Sequence, residues 1–225
     1  MTGEGTRRLP VLAGRQVLAD GVHEQIRALI LNHGIEPGER VNIDEVAREL
    51  DVSGTPVREA LARLESEGLV SRVALRGYRT TPLLTRKEVA DLYGLRLLLE
   101  PPSAAAAARA MTPAHAAALE AELATCPRAP GDSSYKGYRA LSAHDQRLHE
   151  LVLVIAGNEA VRQAFGRTHC HLHLFRLSYQ QPAGEQTIEE HRRLVTALAA
   201  GKAAEARKAM TEHLEVARDR LLAKL

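Results

Sequence analysis

The sequence predicts a mainly α chain in two parts, a small front unit of helices closed by a two-stranded hairpin and then an all-α antiparallel helical bundle. Three observations lead there. Apolar residues recur at helical spacing through most of the 225 residues. The period changes to that of strands at one place, "LVSRVALRGYRTT". After residue 85 helix starts and stops follow one another, and no stretch reads as a strand.

Bulk properties narrow the function classes. Charged residues make up 26% and apolar residues 45%, the balance of an ordinary soluble protein with a core to bury. No apolar run approaches the roughly 18–20 residues of a membrane span. The opening "MTGEGTRRLP" lacks the apolar core of a signal peptide, so a cytoplasmic location with no membrane partner is expected. Cys126 and Cys170 are too few for a disulfide framework and fit no zinc spacing; they read as reduced thiols. Net charge is +2, and the first 80 residues carry 11 basic against 12 acidic side chains. Any affinity for DNA therefore rests on local arrangement.

In chain order, residues 1–14 read as a mobile polar arm. A helix is expected over 16–33, where Leu18, Val22, Ile26, Leu29 and Ile30 share a face. The Pro-Gly pair of "IEPGER" turns the chain. Asn42 caps a short helix, 43–50, with Glu45 as the partner of a capping box. After a break at 51–53, Ser53 caps a helix over 54–68, with Pro56 in its first turn. The hairpin follows, turning at 75–77 and ending at Pro82. "TRKE" is a second capping box and opens the rear part. Helices are expected there over 86–100, 102–110, 112–125, 137–156, 158–180, 185–200 and 202–224. Pro101 and Pro102 predict a kink or restart, since proline lacks the N–H and clashes with the preceding turn. "CPRAPGDSS" reads as a loop. The division is an arm 1–14, a front domain 15–82 and a rear domain 83–225.

Two helices around a tight break, followed by a hairpin, describe a winged helix-turn-helix. In its second helix Val57, Leu61 and Leu64 face inward and Ala60 allows close approach, which leaves Gly54, Thr55, Arg58 and Glu59 outward near the N-terminus. A recognition helix needs that arrangement to present its first turns to the major groove. Arg58 reaches a guanine edge or a phosphate; Arg76, Arg79 and the small Gly77 of the wing are placed to approach backbone or minor groove. The stretch "VNIDEVARELDVSGTPVREALARLESEGLVSRVALRGYRTT" resembles the DNA-binding domain of GntR-family bacterial transcription regulators. The family pattern has an arginine after the serine, where this chain has Gly54, so base reading falls to Thr55, Arg58 and the wing. The resemblance implies a DNA-contacting set of Arg48, Ser53, Gly54, Thr55, Arg58, Arg76, Gly77 and Arg79. A winged helix used only for protein contacts is the alternative.

The helix 137–156 poses the main question of the rear domain. Leu141, Leu148, Val152 and Ile155 form its apolar stripe, and Asp145 and His149 fall inside that stripe. Charged groups are rarely buried without a partner. His191 lies on the stripe of Ile188, Leu194, Val195 and Leu198, and His213 on that of Ala206, Met210, Ala217 and Leu221. Each histidine alone reads as a satisfied core residue. Together, three helices of a bundle bring a carboxylate and three imidazoles to one point, the way bundles build metal sites. The set suits Zn²⁺, Ni²⁺, Mn²⁺ or Fe²⁺ without choosing among them.

Residues 86–222, including "DLYGLRLLLE", resemble the all-helical FCD effector domain of the FadR subfamily of GntR regulators. That resemblance implies Asp145, His149, His191 and His213 as metal ligands, a small organic acid as effector, and a homodimer on double-stranded operator DNA. Arg96 has two readings, an ion pair with Glu100 or a grip on the effector carboxylate. In "GRTHCHLHLFR", His169 and Arg176 share a face and are assigned to the effector pocket, whereas His171 points elsewhere on the helical wheel. The expected function is a ligand-responsive regulator, most often a repressor in this family and not an enzyme. A sensor of the metal ion alone and a metal-dependent enzyme fused to a DNA-binding domain are the alternatives.

Overall fold

The computed structural model describes residues 13–126, 135–178 and 184–225, with side chains from 17, 139 and 184 in the three segments and to Leu177 at the end of the second. The expected arm lies outside the described residues except for its last two positions, as does the expected loop beyond Cys126. The chain divides into two compact units, Met1–Pro82 and Leu83–Leu225.

In the first unit α1 (Ala13–Leu31) packs on α3 (Gly54–Ser66), and α2 (Ile43–Glu49) precedes α3 across a short break. Val22, Ile26, Ile30, Val57, Ala60, Leu61 and Leu64 are buried, so the α3 stripe faces inward as expected, whereas on α1 Leu29 is half-buried and Leu18 is exposed. Asn42 Oδ1 accepts from the backbone N–H of Asp44 and Glu45. Ser53 occupies the cap position of α3 without a side-chain capping bond. The hairpin β2 (Val70–Val73) and β3 (Gly77–Thr80) pairs Val73 with Gly77 and Val70 with Thr80. A two-residue strand, β1 (Arg40–Val41), adds to the other edge of β3 and gives the antiparallel order β1-β3-β2. Two residues are too few to show a period, and this strand is invisible in the sequence.

The second unit is a helical bundle. It comprises α4 (Arg86–Arg109), α5 (Pro113–Ala124), α6 (Tyr135–Ala156), α7 (Glu159–Gly166), α8 (Cys170–Ser178), α9 (Gly184–Ala199) and α10 (Ala203–Leu222). Its core joins Val89, Tyr93, Leu119, Leu148, Val152, Leu194, Leu198, Met210 and Leu214. The capping box at Thr85 and Glu88 is formed in both directions.

Two expectations fail here. The prolines do not split α4, which runs unbroken through Pro101 and Pro102. Pro101 and Pro102 withhold the N–H bonds due to the Leu97 and Leu98 carbonyls, and Leu98 is exposed, which lets water serve its carbonyl. Ser103, Ala104, Ala105, Ala107 and Ala108 are buried beyond the prolines, and α10 packs along α4. Packing on both sides of the prolines keeps the segment helical where local propensity predicts a restart. The single helix expected over 158–180 is instead α7 and α8, separated by a turn in which His169 takes φ +45°. Thr168 Oγ1 donates to the Phe165 carbonyl at 2.6 Å and accepts from the Cys170 N–H at 3.3 Å, closing one helix and starting the next. The last expected residues of that helix, 179 and 180, lie outside the described residues.

Leu148 is fully buried at the centre of the bundle core. Leu148→Ala is expected to lower unfolding free energy by about 2–5 kcal/mol, measured by urea denaturation of the full chain.

Candidate metal centre and nucleic-acid interface

In the first unit, Arg48, Ser53, Thr55, Arg58, Arg76, Gly77 and Arg79 are exposed and Gly54 is half-buried. Gly77 sits at φ +80°, a conformation that favours glycine. Arg79 Nη1 donates to the Gly38 carbonyl at 2.7 Å, which ties the wing strand to the turn before β1. A Cβ at Gly54 would lie 2.9 Å from Arg58 Nη1. The guanidinium of Arg58 thus covers the bare first turn of α3, where the GntR pattern carries an arginine of its own.

In the second unit, Asp145 and His149 of α6, His191 of α9 and His213 of α10 offer ligand atoms that all lie within 4.8 Å of one another. The three imidazoles are buried. Their outer nitrogens are anchored. His149 Nδ1 donates to Glu100 of α4, and His213 Nδ1 donates to Glu190 of α9 at 2.8 Å. His191 Nδ1 lies 3.1 Å from His144 Nε2.

With the Nδ1 protons committed to carboxylates, the Nε2 atoms of His149 and His213 face each other as lone pairs at 3.2 Å. His191 Nε2 is buried 3.2 Å from Asp145 Oδ1 yet is not aligned for a hydrogen bond. Lone pairs and a carboxylate converging without protons between them repel, and a cation relieves that repulsion. The residues present therefore fit a divalent transition-metal ion, with three nitrogens and one oxygen as donors.

Titration properties agree with this geometry. Burial pushes His149 down to about 3, against the pull of Glu100, so its ring is neutral at physiological pH. Burial likewise lowers His213 despite Glu190 beside it. Burial resists ionisation of Asp145, but the His171 hydrogen bond and the surrounding imidazoles hold its carboxyl well below the usual range.

A cavity of about 120 Å³ adjoins the cluster. Asp145, His213, Arg96 and His171 line it, and Arg220 and Lys224 add positive charge. Arg96 fulfils its ion-pair reading, donating from Nε to Glu100 Oε1 at 2.6 Å, and it also faces the cavity.

The assignment within "GRTHCHLHLFR" needs correction. His171 is buried and its Nδ1 donates to Asp145 Oδ2 at 2.8 Å. Burial opposes its protonation, but the Cys170 sulfur and the Asp145 carboxylate outweigh it and raise the ring to about 10. His169 is half-buried and lines a different, smaller hollow with Gln146 and Glu150. Arg176 is buried but is not among the side chains lining the cavity beside the cluster. The left-handed residue at position 169 resets the helical phase, so a wheel drawn from residue 158 exchanges the roles of His169 and His171.

Sequence reasoning also missed Glu190, Glu122 and His144. His144 was findable, since it follows Leu141 by three residues and precedes Leu148 by four on the apolar stripe. The carboxylates carry no such signal, because their role depends on helices distant in sequence. Cys126 and Cys170 are free thiols.

Comparison with known proteins follows the same division. Residues 18–79 match the family of bacterial regulatory proteins, gntR family. Residues 91–216, more than half of the chain, match the FCD domain. The chain belongs to the GntR family of regulators that carry an FCD domain. Among relatives of this GntR regulator, the HTH-type transcriptional regulator YdhC of Bacillus subtilis is 28% identical over 174 residues, 76% of each chain. A second HTH-type regulator, from the ttuE-ttuC' intergenic region of Agrobacterium vitis, is 30% identical over 68% of this chain and 91% of its own. The gluconate operon transcriptional repressor of Bacillus subtilis is 40% identical over 76 residues, 34% of this chain and 30% of its own. The solved structure of E. coli McbR/YncC shares the fold with a TM-score of 0.68 at 21% identity, covering 91% of this chain and 96% of its own. The three sequence relatives are each described as transcriptional regulators or repressors. Among the described residues no helix is long and apolar enough to cross a membrane.

The depressed His149 ring has a consequence for stability. Its folded pKa, about 3, lies below the ordinary 6.5, so as pH falls the unfolded chain takes up the proton first. The stabilisation is full above pH 6.5 and is lost as pH falls through that window. Thermal melts of chelator-treated protein are expected to show Tm falling between pH 7 and 5; a rise would contradict the neutral, buried ring.

Proposed function

We propose that this GntR regulator is a repressor of the FadR subfamily that binds operator DNA as a homodimer and responds to a small carboxylate held at a metal site in its FCD domain. The observation that carries the reading is the set of proton-free ligand atoms of Asp145, His149, His191 and His213 beside a cavity lined by Arg96, Arg220 and Lys224. A metal bound there would act as a Lewis acid toward an anionic oxygen of the effector. The chain's own residues do the rest. Glu100 and Glu190 hold the ring orientations of His149 and His213, Asp145 supplies the one anionic ligand, and Arg96 offers a guanidinium edge to the carboxylate.

Dimerisation follows from operator reading, because one winged helix covers one half-site and two give the required affinity. Arg58, Thr55 and the exposed Arg48, Arg76 and Arg79 would make the DNA contacts, with Ser53, Gly54 and Gly77 at close approach to the backbone. The repressor sign is supported by the relative that represses the gluconate operon. A sensor of the ion alone would have no use for a cavity beside the ligands, and the cavity's lining by Lys224, by Arg96 paired with Glu100 and by Arg220 paired with Glu190 favours the organic effector. The acid can alter DNA binding only by favouring one arrangement of the protein over another.

Gel-shift titration against duplexes selected by the protein from a random pool tests the scheme, with candidate acids added in the presence and absence of chelator. An acid that shifts binding only in the metal-loaded protein supports it; no response to any acid defeats the effector reading. Arg58→Ala is expected to weaken binding to the selected duplexes by about 1–3 kcal/mol. Elemental analysis of protein purified without chelator is expected to find a transition metal, and Asp145→Ala to lose it.

A further inference from the structure

The regulator reading leaves unused a fourth imidazole beside the cluster, His144 of α6, which is fully buried. Its Nε2 lies 3.1 Å from His191 Nδ1, and its Nδ1 lies 3.0 Å from Glu122 Oε1 of α5. Glu122 is itself fixed from outside. Arg147 donates through Nε to Oε2 at 2.9 Å and through Nη2 to Oε1 at 3.0 Å. Thr125 Oγ1 donates to Oε1 at 2.9 Å. The Nδ1 atoms of His149 and His213 each lean directly on a carboxylate; Nδ1 of His191 reaches one only through another histidine.

We propose that Glu122 and His144 form a relay that sets the tautomer of His191 and so determines whether the cluster can hold a metal. The direction of every link follows from the first. A carboxylate accepts hydrogen bonds and donates none, so His144 must carry its proton on Nδ1. A neutral ring protonated at Nδ1 has a lone pair at Nε2, and the donor facing that lone pair is His191 Nδ1–H. His191 Nε2 is then left bare and aimed at the cluster, where it lies 3.2 Å from Asp145 Oδ1 without a hydrogen bond. Without the relay, the buried Nδ1–H of His191 loses its acceptor. The proton then gains by moving to Nε2, because a ring no longer anchored at Nδ1 can turn until Asp145 Oδ1 accepts it. That tautomer places an N–H where a cation requires an electron pair. Glu122 and His144 touch neither metal nor effector; they are positioning residues that act through His191.

The inference rests on the metal reading of the cluster, and its test separates the two. In full-length, metal-free protein labelled with ¹⁵N at histidine, long-range ¹H–¹⁵N spectra report which nitrogen of His191 bears the proton. Zinc affinity is measured in parallel by competition with a chromophoric chelator. His144→Leu fills the space and removes the acceptor. It is expected to move His191 toward the Nε2–H form and to weaken zinc binding by about 10–100-fold. His144→Gln places an amide oxygen near the former Nε2 and is expected to restore both properties, a rescue that loss of packing alone would not give. Glu122→Leu, at a half-buried position, is expected to give a partial loss in both. If His191 keeps its Nδ1 proton in His144→Leu, or a parent that binds zinc loses no affinity there, the relay is overturned. If the parent binds no zinc while the tautomer still shifts, the metal reading falls and the relay stands.

Discussion

The second unit is organised around one electrostatic constraint: a neutral imidazole taken out of water needs an acceptor for its one N–H. Burial excludes the charged form of His149, and a neutral ring has one donor and one acceptor. The bundle satisfies the donors at its periphery through Glu100 and Glu190, which forces the acceptors inward. Four helices contribute to the arrangement, α4 and α9 with carboxylates and α6, α9 and α10 with rings. The packing of α4 against α10 and of α9 against α10 therefore fixes the separation of the ligand atoms. The polar centre and the apolar core are one construction, since Leu148, Leu194 and Leu214 lie one turn or less from ligands on the same helices.

Much of this was legible in the sequence for a definite reason. Asp145, His149, His191 and His213 interrupt apolar stripes on long helices, and helical periodicity is the strongest local signal a sequence carries. The same logic separated the two faces of α3, where Val57, Leu61 and Leu64 are buried and Thr55 and Arg58 are exposed. The logic failed where periodicity was broken from outside the window. At His169 a single left-handed residue, beside the Thr168 side-chain bonds, shifted the phase downstream, so His171 rather than His169 lines the cavity beside the cluster. At Pro101 and Pro102 the error ran the other way, because a local helix breaker was overruled by burial on α10. Glu190 and Glu122 were invisible because a solvated carboxylate and a buried anchor read alike in a linear sequence.

The front unit shows a different economy. Where GntR relatives place an arginine after the capping serine, Gly54 offers no side chain, and Arg58 from the next turn folds across the space. Positive charge at the start of α3 is retained but delivered from another position and angle. A guanidinium laid along the helix start has different reach from one projecting out of it. Gly54 thus leaves Arg58 as the cationic side chain lying over the start of α3.

One consequence of Arg96 remains. Its guanidinium faces the cavity and at the same time neutralises Glu100, the carboxylate that orients His149. An anion bound in the cavity, as proposed above, would compete with Glu100 for that positive charge, and any change in Glu100 would be felt at His149. Occupancy of the cavity and occupancy of the histidine cluster are thus tied by thermodynamic reciprocity: whatever factor one exerts on the other's affinity must be returned in full.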